Sequence, residues 1–345
     1  MAQPSSLLST PWQYYVPLLL ASPVALLVVS KLWRRYQARN ACLRHRHFII
    51  TGGSSGIGRA LARAAVQRGA NVTLIARNLD RLEEAKIELL EKTSSPEQAV
   101  HTLSADLTKG EAGEAVLARG IEEAEQVCGP VDYLVNCAGS AISLRFDETP
   151  LVEFQHMMEV NYLSAVHTTM AVLPGMKQRG SGSITFVSSI AGLMGLYGYT
   201  AYSPSKFALV GLAQSLRMEV KHRGIQVTVA FPPDTDTPGF AEEERTKPTE
   251  TKLISAMAGL YSADVVATSL LQDILEGNTT SALGLDGHIT VALCAGMMPP
   301  SSLLEAVVQA LTMGILRVIG CLYVWHFYRL VARCAANREG SKKGS

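Results

Sequence analysis

Six short β-rich runs alternate with longer helical stretches between His47 and Pro233, and this alternation leaves few folds open to the chain. A strand, a helix and a second strand in the same direction form a βαβ unit, and successive units build a parallel sheet with helices on both faces. The predicted strands are HFIIT (47–51), NVTLIA (71–76), VHTLSAD (100–106), VDYLVNCA (131–138), SITFVSS (183–189) and IQVTVAFP (225–232). The sequence therefore predicts an α/β protein with a doubly wound parallel sheet.

A glycine-rich turn, TGGSSGIG from Thr51 to Gly58, joins the first predicted strand to the helical RALARAAVQRGA. Glycines permit a tight turn and let the backbone approach a pyrophosphate, whose charge is favoured at a helix N-terminus. A glycine cluster alone is weak evidence, but its place between a first strand and a first helix predicts the dinucleotide site of a Rossmann sheet. The loop residues predicted to bind the cofactor are Gly52, Ser54, Ser55, Gly56, Ile57 and Gly58.

The end of the second predicted strand indicates which dinucleotide binds. An acidic residue usually holds the ribose 2′-hydroxyl near this point, whereas this chain has Ala76 and Arg77 there, and Arg81 one turn later. A guanidinium suits a 2′-phosphate, so Arg77 and, less strongly, Arg81 favour NADPH over NADH. The alternative is that Arg77 is an ordinary surface charge. Asp106 and Leu107, after the third strand, are predicted to face the adenine, although an Asp there is also a common helix cap.

Tyr202 and Lys206 stand four residues apart in GYTAYSPSKFALVG (198–211). Positions i and i+4 share one face of a helix, so a phenol and an ammonium so placed can point into the same cleft. The spacing also arises by chance at ordinary helix starts, and the neighbouring motifs have to decide. Because proline is tolerated only in the first turn of a helix, Pro204 predicts that the helix begins close to Tyr202.

The motifs of the chain follow one another in a recognisable order. After the glycine loop come NCAG (136–139), VNYLSAV (160–166), VSS (187–189) and YSPSK (202–206). Over roughly residues 46 to 240 this order resembles the short-chain dehydrogenase/reductase family, although many members have two asparagines where this chain has NCAG. The resemblance implies a catalytic set of Ser189, Tyr202 and Lys206, with Ser188 left open as the alternative serine, and with Asn161 supporting a water that leads to the lysine. It also implies that the cofactor is contacted by Asn136, Tyr202, Lys206, Thr235 and Thr237.

These residue types suit the reduction of a ketone, which needs a hydride on carbon and a proton on oxygen. A phenol with a pKa of about 10 is a weak acid–base at neutral pH. Lys206 beside it is expected to favour the phenolate and to lower the pKa of Tyr202. Ser189 would hydrogen-bond the carbonyl oxygen as negative charge develops there, while the hydride belongs to the cofactor.

Composition excludes several other kinds of function. The 345 residues are 48% hydrophobic, and the formal net charge is +1 with no long basic block in the middle of the chain. Nucleic acid is therefore not expected as a partner. The six cysteines are scattered, without a C-x-x-C pair or a His/Cys cluster. From the cysteines we expect no metal site and a reducing compartment. The sequence is also compatible with a homo-oligomer.

Both ends of the chain are apolar. Residues 14–33, YYVPLLLASPVALLVVSKLW, are long enough to cross a bilayer and are followed by the basic KLWRRYQAR. The positive-inside rule then places residue 34 onward in the cytosol, with a buried core helix or an uncharged-front signal peptide as alternatives. A second apolar region, about Ile289 to Val331, contains charges that favour a membrane-dipping hairpin or an interfacial helix over a clean span. The predicted domains are an anchor with a basic linker (1–45), an NADPH-binding reductase domain (46–286) and a membrane-associated region with a polar tail (287–345).

The segment after the sixth strand, FPPDTDTPGFAEEERTKPTETKL (231–253), is distinctive. With GGSSGIG, LVNCAG and ALGLDG (282–287), it resembles the branch of the family that acts in sphingolipid synthesis. That resemblance implies a long-chain lipid substrate, 3-ketosphinganine, reduced with NADPH to sphinganine at the cytosolic face of the endoplasmic reticulum membrane. One alternative is a membrane-bound reductase of another lipid ketone, such as a steroid or acyl ketone. The other is a non-catalytic NADPH-binding scaffold, against which the intact catalytic set weighs.

Two segments around the predicted site carry structural expectations. Asp234 to Lys252 lacks clear periodicity and is expected to be a mobile lid. Glu242, Glu243 and Glu244 within it could attract the ammonium of an amino-ketone, but such a charge run is more often a solvated surface. GHITVALC (287–294) stands where a typical member has a seventh strand, and it leads into the apolar region, so the sequence does not define that edge of the sheet.

Overall fold

The structure is a computed structural model that describes residues 12–343, and the side chains among them outside 12–24, 110–112, 114 and 339–343. The strands in this part of the chain are β1 (His47–Thr51), β2 (Asn71–Ala76), β3 (Val100–Ser104), β4 (Val131–Asn136), β5 (Gly182–Val187), β6 (Ile225–Phe231), β7 (Thr235–Asp236), β8 (Tyr261–Ser262) and β9 (Thr280–Ala282). The α-helices are α1 (Trp12–Arg39), α2 (Gly56–Val66), α3 (Leu79–Leu90), α4 (Gly110–Cys128), α5 (Leu151–Met158), α6 (Ser164–Arg179), α7 (Tyr202–Val220), α8 (Pro238–Glu243), α9 (Thr249–Ser255), α10 (Ala263–Glu276), α11 (Gly284–Leu293) and α12 (Leu303–Lys343).

In the described part of the chain, seven strands form one parallel sheet in the order β3-β2-β1-β4-β5-β6-β9. The predicted doubly wound α/β fold is confirmed. All six predicted strands are present, and four of them end one or two residues earlier than expected. β2 and β3 extend the sheet on one side of β1, and β4, β5 and β6 extend it on the other, so the strand order switches between β1 and β4. Ligands of such sheets bind outside the carboxyl ends of the strands at this switch point.

The sheet is buried on both faces, as β1 illustrates. All five of its residues are buried. Phe48 and Ile50 pack with residues of α2, α3 and α10, whereas Ile49 packs with residues of α4, α6 and α7. Burying a side chain of this size contributes about 1.5–3 kcal/mol. The continuous apolar run, rather than an alternating one, follows from having helices on both faces.

The seventh strand is not formed by GHITVALC. Thr280–Ala282 forms β9 instead, and Val229 of β6 is paired with Thr280. Gly284, with a φ of +73°, then turns the chain into α11. The domain boundary expected between residues 286 and 287 therefore falls inside a helix.

The C-terminal apolar region forms two helices that pack together. A Cβ on Gly320 of α12 would lie 2.5 Å from Cδ2 of Leu293 in α11. Within the described residues one stretch, Leu303–Arg338, is long and apolar enough to cross a membrane by length and composition. Glu305 is one of the charges in the second apolar region that argued against a clean span. It lies at the start of α12, where it accepts from the backbone N–H of Ser301 at 2.8 Å. The pair has the connectivity of a hairpin, and its membrane placement stays a prediction.

Helix α1 includes the predicted N-terminal span. The span up to residue 24, including Pro17 and Pro23, lies outside the residues whose side chains are described, and residues 1–11 lie outside the described residues. In the described part of α1, apolar side chains such as Leu26 and Trp33 are exposed. The end of the helix is tied to α10, because Nε2 of Gln272 donates to the carbonyl of Arg35 at 2.8 Å. The anchor itself stays a prediction.

The expectation that residues 234–252 lack regular structure is wrong. The stretch contains β7, which pairs with β8, then α8 and the start of α9. Thr237 caps α8 by accepting from the N–H of Phe240 at 3.1 Å, and Pro238 occupies the first position of the helix. Helices of six and seven residues are too short for an apolar repeat to reveal them in the sequence.

Candidate active site

The glycine-rich turn between β1 and α2 is shaped by close backbone contacts. Gly52 and Gly56 have φ values of +67° and +54°, in the left-handed region that favours glycine. A Cβ on Gly58 would lie 2.6 Å from the carbonyl oxygen of Gly52. Ser55 precedes α2 without capping it by its side chain, and Ile57 and Ser54 lie in the same turn. The first N–H groups of α2 are thus left for another acceptor, as a pyrophosphate site requires.

Thr51 joins the glycine turn to the end of β4. Its hydroxyl accepts from the N–H groups of Cys137 and Ala138 at 3.0 and 2.9 Å. Asn136, predicted to contact the cofactor, has a buried side chain whose Nδ2 donates to Thr169 of α6 at 3.1 Å. The structure thus uses the Asn136 amide to join β4 to α6.

The two threonines after β6 are placed differently. Thr237 borders the glycine turn, since a Cβ on Gly56 would lie 3.1 Å from its Cγ2. Thr235 is buried, and its hydroxyl donates to the carbonyl of Pro233 at 2.8 Å. Of this predicted pair, Thr237 is the one that the structure brings to the loop.

The edge formed by the ends of β2 and β3 carries the residues predicted to select the cofactor. Arg77 and Arg81 are exposed there. Burial raises the pKa of Asp106, but two hydrogen bonds from Thr108 and the positive charge of Arg77 outweigh it, so that the pKa is lowered. Leu107 is partly buried and packs against the core beside α4. Arg77 and Asp106 therefore share this edge, while Leu107 contributes to packing.

Tyr202, Lys206 and Ser189 meet at the carboxyl end of β5. Helix α7 begins at Tyr202, as Pro204 predicted. Ser189, two residues after β5, is hydrogen-bonded to the Tyr202 phenol. Nζ of Lys206 lies 5.7 Å from the centre of the Tyr202 ring and donates to the carbonyl of Val187 at 3.1 Å. A hydroxyl, a phenol and an ammonium are therefore grouped at the edge where ligands of such sheets bind.

The structure separates the two candidate serines. The hydroxyl of Ser188 is buried and donates to the main-chain carbonyl of Lys206 at 2.9 Å. That bond joins β5 to α7 and occupies the Ser188 hydroxyl with the backbone. Of the two serines, Ser189 is thus the one beside the Tyr202 phenol.

Asn161 lies beside Lys206 in a π-helical turn between α5 and α6. Its amide is held on both sides, since Oδ1 accepts from the N–H of Ser140 and Nδ2 donates to Ser205, each at 2.9 Å. A Cβ on Gly139 would lie 2.7 Å from Oδ1 of Asn161 and 3.2 Å from Nζ of Lys206. Asn161 therefore belongs to the same cluster as the lysine, and π-helical turns are often found at functional sites.

Burial dominates the protonation of the site. Burial raises the pKa of Tyr202, and the charges of Glu243 and Asp234 raise it further, against the hydrogen bond from Ser189. Burial also lowers the pKa of Lys206 to about 8. The expectation that Lys206 lowers the pKa of Tyr202 is not met in this structure, because its ammonium donates to Val187 rather than to the phenol. The phenol is thus held in its neutral form.

Sequence reasoning did not single out Tyr199 and Lys247. The ring centres of Tyr199 and Tyr202 are 5.4 Å apart, and the Tyr199 hydroxyl donates to Glu243. Nζ of Lys247 lies 3.0 Å from an oxygen of Glu243. The available sequence signal was the i, i+4 spacing of Glu243 and Lys247, which is typical of a helical ion pair.

The run of three glutamates does not behave as one surface. Glu242 is exposed and pairs with Arg245 at 2.9 Å. Glu243 is 9% exposed, and Glu244 lies 2.5 Å from Nζ of Lys247. The interpretation as a solvated surface applies to Glu242 alone.

Comparison with known proteins agrees with this geometry. The family model for short chain dehydrogenases matches residues 46–248. The chain belongs to this family. Among relatives of this short-chain dehydrogenase, a 3-dehydrosphinganine reductase of Danio rerio is 48% identical over 87% of this chain and 90% of its own length. A 3-ketodihydrosphingosine reductase of Bos taurus is 44% identical over 84% of this chain and 86% of its own. The crystal structure of levodione reductase shares the fold, with a TM-score of 0.61 and 24% identity over 68% of this chain and 91% of its own.

Membership makes this short-chain dehydrogenase an oxidoreductase that works with a nicotinamide cofactor. The residues present fit such a group. Side chains at Gly52 or Gly58 would collide with backbone atoms, so only glycine keeps this turn open. Helix α2 begins at the turn without a side-chain cap, which leaves its first N–H groups free to bind a phosphate. In the residues that the structure describes, no group of three or more His, Cys, Asp or Glu side chains could hold a metal ion. All six cysteines are free.

Proposed function

We propose that this chain reduces 3-ketosphinganine to sphinganine with NADPH. The observation that carries the proposal is the grouping of Ser189, Tyr202 and Lys206 beside the glycine turn, in a chain that matches 3-dehydrosphinganine reductases over most of its length. The catalytic roles follow from the chemistry of these side chains.

The cofactor, when bound, supplies a hydride to the ketone carbon. Ser189 donates a hydrogen bond to the carbonyl oxygen, where negative charge develops during the transfer. Tyr202, kept neutral by burial, gives its proton to that oxygen and completes the alcohol. Lys206 and Asn161, grouped behind Gly139, lie where a proton can return to the phenolate.

The proposal is tested by measuring NADPH consumption in microsomes that contain the chain. We expect consumption to depend on 3-ketosphinganine and to yield sphinganine. A steroid ketone and a simple acyl ketone are assayed in parallel, and microsomes that contain the Tyr202→Phe variant serve as the control. Faster turnover of the steroid or acyl ketone would assign the enzyme to another lipid ketone. NADPH binding without turnover of any ketone would favour the scaffold.

The preference for NADPH is proposed to reside mainly at Arg77. Its guanidinium is exposed at the edge of the site beside Asp106, where a 2′-phosphate could reach it. We expect Arg77→Asp to weaken NADPH binding by about 1.5–3 kcal/mol, the size of a hydrogen bond to a charged group, and to spare NADH. Dissociation constants from cofactor fluorescence measure the effect. Lys92→Asp, an exposed charge reversal beyond the far end of α3, is the control; equal losses for both cofactors would make Arg77 a surface residue.

Membrane association is proposed from an apolar row along α12. Its members are exposed at i, i+4, i+7 and i+11, which places them on one helix face. They are Leu311 (76% exposed), Ile315 (68%), Val318 (62%) and Leu322 (58%). An exposed apolar face of this length suits a lipid surface, and a substrate with a long alkyl chain resides in one. The endoplasmic reticulum is the membrane proposed, with the catalytic domain in the cytosol.

That orientation predicts the glycosylation state of two sequons, Asn71-Val72-Thr73 and Asn278-Thr279-Thr280. Neither asparagine should carry glycan in cells, because both should face the cytosol. A glycosidase-sensitive mass shift that disappears in Asn278→Gln would contradict the orientation. A sequon placed in an N-terminal extension is the matched control, since it should be glycosylated on the lumenal side.

A further inference from the structure

The first turn of α7 is held from one side by a buried series of hydrogen-bonded side chains that the proposed reaction does not use. Residues 234–255, here called the lid segment, contain β7, α8 and α9. From it Glu243 accepts from the hydroxyl of Tyr199, and Lys247 binds Glu243 at 3.0 Å. Tyr199, Glu243 and Lys247 are 5%, 9% and 4% exposed. The contact thus lies inside the protein rather than on its surface.

Tyr199 connects these buried side chains to the proposed proton donor. Its ring lies 5.4 Å from that of Tyr202, at an interplanar angle of 53°. Its carbonyl also accepts from the N–H of Ser203 at 2.8 Å, at the start of α7. A movement of the lid segment that displaced Glu243 would therefore release the group that packs against Tyr202.

Stability alone does not account for the buried charges. Nζ of Lys247 is shared by oxygens of Glu244 at 2.5 Å, Glu243 at 3.0 Å and Asp234 at 3.9 Å. Well-packed apolar residues often stabilise a protein at least as much as a buried ion pair does. A buried network is better suited to fix one arrangement of the groups around it.

We propose that Tyr199 and Glu243 are positioning residues, which orient the Tyr202 phenol and tie that orientation to the seating of the lid segment. The inference rests on the proposed function, because Tyr202 is the donor there. Closure of the lid segment and alignment of the donor are then a single event. The charge of Glu243 also favours the neutral phenol, as the donor requires.

Charged and titratable groups face Tyr202 from each element around it. These are Lys206 of α7, Tyr199 before α7, Glu243 of α8, and Asp234 after β6. Removal of the Glu243 charge makes the Tyr202 phenol lose its proton more readily. The alkaline limb of the kcat profile, where the Tyr202 phenol loses its proton, should therefore move to lower pH.

The experiment compares Glu243→Ala, Glu243→Gln and Tyr199→Phe with the wild type, and uses Glu242→Gln as the matched control. Glu243→Ala and Tyr199→Phe should lower kcat by about 10- to 100-fold, the scale expected for a misplaced group, with NADPH affinity unchanged. Glu243→Gln keeps an oxygen that accepts from Tyr199, so it should retain most of kcat at neutral pH and shift the alkaline limb downward. Glu242→Gln removes an exposed, screened charge and should change neither.

Several outcomes would overturn the inference. They are a kcat of Glu243→Ala close to that of the wild type, equal losses in the Ala and Gln variants without a shifted limb, or a parallel loss of NADPH affinity. If Glu243→Ala does not fold, Tyr199→Phe decides the question, because it removes one hydroxyl and keeps the ring. The wild-type rate with 3-ketosphinganine tests the proposed function separately. The ratio of variant to wild-type kcat can be measured with any ketone that the enzyme reduces.

Discussion

Tyr202→Phe is expected to lower turnover by about two to four orders of magnitude, the contribution of a positioned proton donor, while NADPH still binds. The ring, its burial and its packing on Tyr199 are retained, and the hydroxyl that Ser189 contacts is lost. Lys206→Met should have a loss of similar size, since it removes the ammonium and keeps the length of the chain.

Single-turnover rates at saturating NADPH, together with cofactor titration, measure these losses. Tyr133→Phe is the matched control, because Tyr133 stacks on Phe48 near the amino end of β4, away from the site. Near-normal turnover in Tyr202→Phe would remove Tyr202 as the donor. A loss of cofactor binding in the same variant would show that the Tyr202 hydroxyl also holds the cofactor.

Gly58→Ala is expected to weaken NADPH binding by about 10- to 100-fold, the effect of 1.4–3 kcal/mol of overpacking at a binding loop. The new Cβ would lie 2.6 Å from the carbonyl oxygen of Gly52 and 2.9 Å from its carbon. Both neighbours are backbone atoms, so the turn has to open in order to admit the methyl group. Binding should therefore fall even where kcat at saturation is largely kept.

Gly211→Ala in α7 is the control for that experiment, because a Cβ there meets nothing within 4 Å. It should leave cofactor affinity unchanged and, as an exposed helix position, raise stability slightly. Titration by cofactor fluorescence and thermal unfolding separate affinity from stability. An unchanged dissociation constant in Gly58→Ala would mean that the pyrophosphate does not bind against this turn.

The sheet could be predicted from sequence because its strands are buried on both faces and read as short apolar runs between helices. β1 and β2 were predicted to the residue. β9 was missed because Thr280–Ala282 is three residues long and holds no apolar run, whereas the apolar GHITVALC is mostly in α11. Burial in a helix pair and burial in a sheet favour the same residue types, and periodicity over so few positions does not separate them.

The site was predicted where motifs are local and was missed where contacts join distant segments. Tyr202 and Lys206 share one helix turn, so their spacing is visible in the sequence. The bond between Tyr199 and Glu243 joins residues 44 positions apart, and no local pattern records it. The choice between Ser188 and Ser189 depends on the direction of each side chain after β5, which composition does not determine.

Both ends of α12 contact the same catalytic domain, which limits how the helix could bind a bilayer. Before the helix, Oγ of Ser301 accepts from the N–H of Thr279 at 3.0 Å, and near its far end Arg338 pairs with the buried Glu250 of α9. At about 1.5 Å per residue the helix is longer than a hydrocarbon core of about 30 Å, yet neither end leaves the domain. So long as both contacts hold, a membrane-bound α12 would lie along one leaflet instead of crossing to the other. Ketone and alcohol would then be exchanged with the same monolayer, and delivery of the product to the opposite monolayer would fall to a separate flipping step.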